Sequence, residues 1–452
     1  MENKSDIEQI VDAVNGVAMS ADRREWEASR SYFVDEPFID YSSLTGQPGA
    51  KVSASDLIKG WSAFLSKFKF TQHFITNHEV NIRGNTARSR SYVHAIHLLP
   101  YAEGGELWGV YGTYDHELVK TSSGWKISAM VFHLFYQEGN KNIPVLAAKI
   151  PKEQKVSFMS EGDNLVGILY IPADYKEGEK IPAIIVTGSW ITVKEQMAGT
   201  YAKKLAGEGF AALVFDFRGF GESSGKPRQY ESPQRKIQDI KNAVTFLLTL
   251  PMIDPKRIGG LGICASSGYM AIVAAEDKRI KIFAAIAPWL HDADLVKLVY
   301  GGDSGVNEKI ALGEVARKKY EQTKVNDLVP ACSAADKNAA MFGPFEYYLS
   351  PTRGAIPEWK NQFAVMSWPE WLRFDPIREA GRIFVPTLLI HSENAAIPEG
   401  AKKFYNKLIS LKDFYWMGGT QFDFYDNRQT VNEASKKAAQ WFKKNLGKNA
   451  QE

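Results

Sequence analysis

Two folds in tandem, an α+β domain followed by a doubly wound α/β domain, are predicted by one change of style along the chain. Up to about residue 136, helical patterns come first and long alternating runs follow; from residue 155 onward, short apolar runs alternate with amphipathic helices. Residues 290–380 break that alternation with loops, helices and Trp359, Trp368 and Trp371. This is the pattern of a helical cap inserted over the carboxyl edge of a mostly parallel sheet. The chain's 452 residues suit a division into 1–136, a connector at 137–154, and 155–452.

In the first part, helical periodicity covers residues 5–19, 22–33 and 54–68, and period-two alternation covers 86–98, 107–120 and 125–136. Gly139, Asn140, Asn142 and Pro144 mark the connector. In the second part, the runs 183–187, 211–216, 258–263, 282–287 and 386–390 are near-continuously apolar, as strands covered on both faces must be. Helical patterns at 197–208, 234–250, 268–276, 400–407 and 431–445 lie between and after them.

Composition narrows the function classes. The chain is 44% apolar and 24% charged, so it can bury a core. Its 55 basic and 52 acidic residues give a formal charge of +3, too little to imply a nucleic acid or an anionic membrane as partner. No apolar run has membrane-spanning length, and the N-terminus has no secretory pattern, so a cytoplasmic location is expected. Two cysteines, Cys264 and Cys332, exclude a disulfide framework.

The run Gly262-Ile263-Cys264-Ala265-Ser266, between a strand and a helix, has the form of a nucleophile elbow. The turn needs small flanking residues, and Gly262 and Ser266 are small. Cys264 is then the nucleophile, with the helix start expected to lower its pKa. The N–H of Ala265 and a donor from the loop bearing Ser189 and Trp190 are the candidate oxyanion hole. A second register makes Ser266 the nucleophile, and a buried structural cysteine is the plain alternative.

With the segments Gly188–Glu195, Phe215–Gly225 and His391–Ala395, this elbow makes residues 155–447 resemble an α/β hydrolase close to the dienelactone-hydrolase-like proteins. The resemblance implies an acid at Glu393, or a register with Asn394 there and no acid. It implies a base in the loop 418–426, where this chain has Gln421. Glutamine cannot take a proton at neutral pH. His291 and His391 are the only histidines of this half and are read as scaffold, with His291 able to intrude from the cap. Asp216 and Arg218 are read as loop scaffolding.

The segments Asp22–Trp26, Phe38–Tyr41, Thr71–Ile75 and Gly124–Ile127 make residues 1–136 resemble the NTF2-like cone of SnoaL-type polyketide cyclases and scytalone dehydratase. That resemblance implies that Asp22 orients a histidine and that Tyr41 and His73 hold substrate or a water. His97, or His94 in a shifted register, is then the second histidine, and Tyr114 stands where the dehydratase has Asn. Such a set supports dehydration, aldol-type cyclisation or isomerisation without metal or cofactor. The competing reading makes Asp22 a helix N-cap with Glu25 as its capping-box partner. His94 and His97 are an odd number of positions apart, so both cannot face inward on a regular strand. His78, His116 and His133 are read as structural, and no metal-ligand spacing or nucleotide loop is found.

The expected protein is an enzyme acting on a small apolar carbonyl compound: an ester, lactone, thioester or polyketide-like molecule. The leading expectation is hydrolase-type chemistry at Cys264 with its base position vacated. A dehydratase, cyclase or isomerase in the first domain, and a non-catalytic ligand-binding or dimerising protein, are the alternatives. A homodimer is expected by analogy with cones that pair through their open sheet faces.

Overall fold

The computed structural model describes residues 4–100 and 102–446. The chain divides into two compact units, Met1–Ile150 and Pro151–Glu452.

In the first unit, helix α1 (Asp6–Asp22) opens with a capping box in which Ser5 and Glu8 satisfy each other's backbone N–H groups. Its inner stripe buries Ile10, Ala13, Val14 and Val17. Helix α2 (Trp26–Ser31), the single turn α3 (Ser42–Thr45) and α4 (Ala54–Leu65) follow. The strands are β1 (Phe33–Asp40), β2 (Ala50–Lys51), β3 (Phe70–Arg83), β4 (Thr86–Leu98), β5 (Leu107–Thr121) and β6 (Gly124–Gly139). They form one sheet in the order β2-β1-β6-β5-β4-β3, antiparallel except where β1 runs parallel to β6. Along β4, Ala87, Ser89, Ser91, Val93, Ala95 and His97 are buried, while the residues between them face outward. The register of β3 on β4 pairs Thr71 with His97 and His73 with Ala95, which makes His73 and His97 diagonal neighbours on the inner face.

Two expectations change here. The helix expected at 22–33 is shorter, because the chain turns at Arg24 (φ +64°) and β1 already begins at Phe33. Asp22 is therefore the last residue of α1 and not an N-cap. Strand β3 was not expected, since Gln72, His73, Asn77, His78, Glu79 and Asn81 dilute its apolar alternation. In the connector, α5 (Ile143–Ala148) buries Ile143 and Ala147 beside Phe68 and Trp108.

The second unit is built on an eight-stranded sheet. Its first six strands are β7 (Lys152–Ser160), β8 (Asp163–Ile171), β9 (Ile181–Thr187), β10 (Ala211–Phe215), β11 (Ile253–Ile263) and β12 (Ile280–Ile286). Strands Thr387–His391 and Lys412–Trp416 complete it beside β12. From β10 to the last strand all pairs are parallel; β7 and β8 add an antiparallel edge. Helix α6 (Met197–Gly207) lies with the last helix, Arg428–Asn445, and α7 (Pro233–Leu248) lies with α8 (Ser266–Glu276). The cap carries the long helix Gly302–Thr323. Its Phe363, Trp368 and Trp371 close on Trp190, with ring centroids 4.8, 5.9 and 5.2 Å away. Among the described residues, no helix is long and apolar enough to cross a membrane.

Close packing at the elbow gives a test. A Cβ on Gly262 would lie 2.6 Å from the backbone of Ser266 and Ser267. Gly262→Ala should lower unfolding free energy by about 1–3 kcal/mol in urea melts. Gly60 in α4 has open space around a Cβ, so Gly60→Ala should instead stabilise the protein by about 0.4–1 kcal/mol.

Candidate active site

Strand β11 ends at Ile263 and α8 begins at Ser266, so Cys264 occupies the tight turn and is held at φ +55°. A non-glycine residue in that region is strained, and the turn puts Cys264, not Ser266, at the elbow. Ser266 is the first helical residue and fully buried. The backbone N–H groups of Ala265 and Trp190 and the hydroxyls of Ser189 and Tyr425 reach the Cys264 sulfur. Burial nevertheless pushes the thiol pKa up, outweighing these donors. The expectation that the helix start lowers it is overturned.

Gln421 takes the place of a base without acting as one. Its Oε1 accepts from the N–H of Ala396, and its Nε2 donates to the carbonyl of Ala287 and to Tyr425 Oη, each at 3.0 Å. A backbone donor on one end and a backbone acceptor on the other fix the amide's orientation. Glu393 does not reach residue 421: its side chain is 61% exposed and pairs with Lys402 at 3.1 Å. Asn394 is exposed as well. The expected Cys264–residue 421–Glu393 relay is thus not assembled, because the strand-end loop turns both 393 and 394 outward. His291 is committed elsewhere. It accepts from Trp289 Nε1 at 2.9 Å and its Nε2 faces the carbonyl of Trp371 at 3.2 Å, and burial lowers its pKa to about 4. His391 is buried beside Trp416.

Sequence reasoning missed two tyrosines. Tyr348 donates to Ser189 Oγ at 3.0 Å, and Tyr425 lies 3.1 Å from the same oxygen. Tyr425 follows Gln421 by four positions, but Tyr348 comes from the cap, and no spacing in the sequence announces it. Behind the loop, buried Glu231 accepts from Ile191 N–H at 2.8 Å, Lys236 Nζ at 2.7 Å and Tyr269 Oη at 2.7 Å. Glu195, Asp216 and Glu222 converge with the spacing of metal ligands. The Lys194 ammonium lies 2.6, 2.8 and 2.8 Å from them, so a built-in cation holds that cluster.

The first unit encloses a cavity of about 150 Å³ between α1, α4 and the inner sheet face. His73, His97, Tyr41, Tyr114, Trp108 and His116 are among its lining residues. Asp22 Oδ1 lies 2.8 Å from His73 Nδ1 and accepts from Thr71 Oγ1 at 2.9 Å; Oδ2 accepts from His73 N–H at 2.7 Å. Burial raises the Asp22 pKa, but these bonds outweigh it and hold the carboxyl below its usual range. The carboxylate keeps the proton of His73 on Nδ1 and leaves Nε2 as the basic nitrogen. Tyr41 and Tyr114 hydroxyls stand 3.5 Å apart, and burial raises both pKa values.

His97 lies 5.7 Å from the His73 ring and 4.5 Å from Trp108. His94 is on the outer face, within a row of rings running Phe74, His94, Tyr111, Tyr136 across four strands. The inward histidine is therefore His97. His116, read from the sequence as structural, also lines the cavity. Burial lowers the pKa of both His97 and His116 to about 3, and among the described residues neither Nδ1 has a hydrogen-bond partner.

The X-Pro dipeptidyl-peptidase (S15 family) model matches residues 161–421, more than half of the chain. The chain belongs to the S15 family. Ahead of this S15 domain is a SnoaL-like domain, matched over residues 2–131. The uncharacterized protein YcjY of Escherichia coli is 30% identical over 65% of this chain and 99% of its own. Protein PA2218 of Pseudomonas aeruginosa has a crystal structure that aligns with a TM-score of 0.59 at 26% identity, over 66% of this chain and 94% of that one. A thiohydrolase of Aspergillus aculeatus, aneE, is 35% identical over 49% of this chain and 70% of its own. The S15 domain with its SnoaL-like companion makes this protein an enzyme of carbonyl chemistry, on an α/β-hydrolase fold preceded by an NTF2-like cone.

The neutral buried histidines predict an acid-sensitive first unit. His97 and His116 bind protons in the unfolded chain below about 6.5 but in the folded one only near 3. Between these values the unfolded state holds more protons, so stability falls as pH falls through that window. Melting temperature against pH should decline from about pH 6.5 downward, and less steeply in a His97→Gln/His116→Gln variant.

Proposed function

We propose that the SnoaL-like domain performs acid/base conversion of a small apolar carbonyl compound: a dehydration, cyclisation or isomerisation. The observation that carries this reading is the 2.8 Å contact between Asp22 and His73 at the wall of an apolar cavity. His73 Nε2 takes a proton beside the substrate carbonyl, while Asp22 stabilises the imidazolium that forms. Tyr41 and Tyr114, kept protonated by burial, donate to the carbonyl oxygen as negative charge develops there. His97 and His116 each offer a ring nitrogen that a substrate hydroxyl can satisfy. A cavity of about 150 Å³ suits roughly one aromatic ring. His73→Ala and Asp22→Asn should each lower turnover by about 10²-fold with the fold intact by circular dichroism. Unchanged turnover in both variants would remove this cavity from the mechanism.

A second reading, acyl transfer or hydrolysis of an ester, lactone or thioester at Cys264, is supported by the strained elbow, the paired N–H groups of Ala265 and Trp190, and the thiohydrolase relative. Its weakness is the proton: among the described residues, N–H groups and weakly basic hydroxyls surround the sulfur, with no imidazole or carboxylate beside it. Gln421→His places an imidazole beside Tyr425 and the elbow. Cleavage of an activated ester should then rise by about 10²-fold or more, and fall back in the double variant with Cys264→Ala. No gain in a folded variant would mean that this pocket has left hydrolysis.

The row of outer-face rings, with exposed Tyr92 and Phe135 beside it, supports a homodimer through that sheet face. Two free cysteines agree with a cytoplasmic location.

A further inference from the structure

We propose that the substrate of the SnoaL-like cavity is an anion: a ring-bearing small carboxylic acid whose carboxylate is held in a basic recess outside His73. The proposal rests on the acid/base reading of the same cavity and adds to it the substrate's charge.

The inner cavity is lined mostly by apolar side chains, with His73 at its wall. His73 also lines an outer recess of about 590 Å³, formed with Met19, Asp22, Arg23, Arg24, Lys69 and Thr71 among others. Three of these side chains are cationic, and the single carboxylate, Asp22, is already occupied by His73 and Thr71. Among the described residues, no acidic side chain forms an ion pair with Arg23, Arg24 or Lys69. Arg24 is the inner member of the group. Its Nη1 donates to the carbonyl of Ala21 at 2.9 Å and to Thr71 Oγ1 at 2.8 Å, both uncharged acceptors. Partial burial lowers its pKa from the ordinary value, against the opposing charge of nearby Asp22, so the guanidinium has given up part of its hydration while forming no direct ion pair. Thr71 in turn donates a hydrogen bond to Asp22, so a cation, a hydroxyl, a carboxylate and an imidazole follow one another from recess to cavity. Exposed Met19 and Phe70 give the recess apolar edges.

A molecule satisfying both compartments is amphiphilic. Its ring fills the inner cavity, its reacting carbons pass His73, and its carboxylate lies among Arg23, Arg24 and Lys69. A planar guanidinium suits a carboxylate better than an uncharged oxygen does. The same cations would raise the rate at which such an anion finds the cavity, and salt would suppress the effect.

The test is calorimetric titration of the full chain with 3-phenylpropanoate and with its uncharged isostere, 3-phenylpropanamide. The acid should bind about tenfold more tightly than the amide at low ionic strength, and most of that advantage should vanish in 0.5 M salt, on the order of a 4 Å Debye length. Arg23→Gln with Lys69→Gln, both exposed positions, should weaken acid binding by about threefold or more and leave the amide unchanged. Arg24→Gln should do the same, and Arg24→Lys should restore part of the preference. Equal affinity for the two probes, binding of neither at millimolar concentration, or a preference that all these variants leave intact would overturn the proposal. The readout is binding, so it separates from the acid/base reading. Lost turnover in His73→Ala without any acid preference removes only the anionic substrate. An acid preference with His73→Ala turnover unchanged removes the proton chemistry and keeps the anion site.

Discussion

The Asp22 carboxylate accepts hydrogen bonds from Thr71 Oγ1, from the backbone N–H of His73 and from its ring. This one group ties the end of α1 to the start of β3. It stands where α1 gives way to the turn at Arg24, so its side chain is released from helix capping and can face the sheet. The two bonds to one histidine, one from backbone and one from ring, fix both the position and the tautomer of His73. Everything else in the cavity is arranged around that fixed imidazole: tyrosine hydroxyls on one side, a neutral His97 beside it, and a cationic recess outside it.

The S15 domain shows a complementary arrangement. Its elbow is tight, its donors converge on sulfur, and its oxyanion loop is braced from behind by Glu231. That carboxylate is buried with Lys236, a costly arrangement unless every polar atom has a partner. Glu231 meets the condition through Ile191 and Tyr269, and the Lys236 ammonium lies 4.6 Å from the ring centres of Phe217 and Phe220. A hole for negative charge is thus well built. Among the described residues, no imidazole or carboxylate stands beside the sulfur to accept a proton, and Gln421 spends its hydrogen bonds on Ala396, Ala287 and Tyr425.

Much of this was legible in the chain. Local periodicity reports burial on one face or two, so the change from helices-then-strands to alternating short runs revealed both fold classes. The elbow could be read because its constraint is local: only small residues fit beside so sharp a turn. The replacement at Gln421 could be read because a side chain either can or cannot take a proton. His94 and His97 were separable in principle by the two-residue period of a strand, and β4 places His97 inward as that period requires.

The sequence by itself determined the two architectures, the position of Cys264 and the absence of a base at 421, since each depends on neighbours within a few residues. Only the tertiary structure decided what depends on partners far apart in the chain. Asp22 meets His73 across about fifty residues because of how α1 crosses β3, and that crossing also turns the cations at 23, 24 and 69 toward one recess. Tyr348 meets Ser189 because the cap folds back onto the oxyanion loop. Glu393 faces solvent, and the Cys264 thiol is pushed up, because loop path and burial are set by the packed whole. Hydrogen bonds and desolvation act over a few ångströms of space, and sequence distance carries no record of them until the chain has folded.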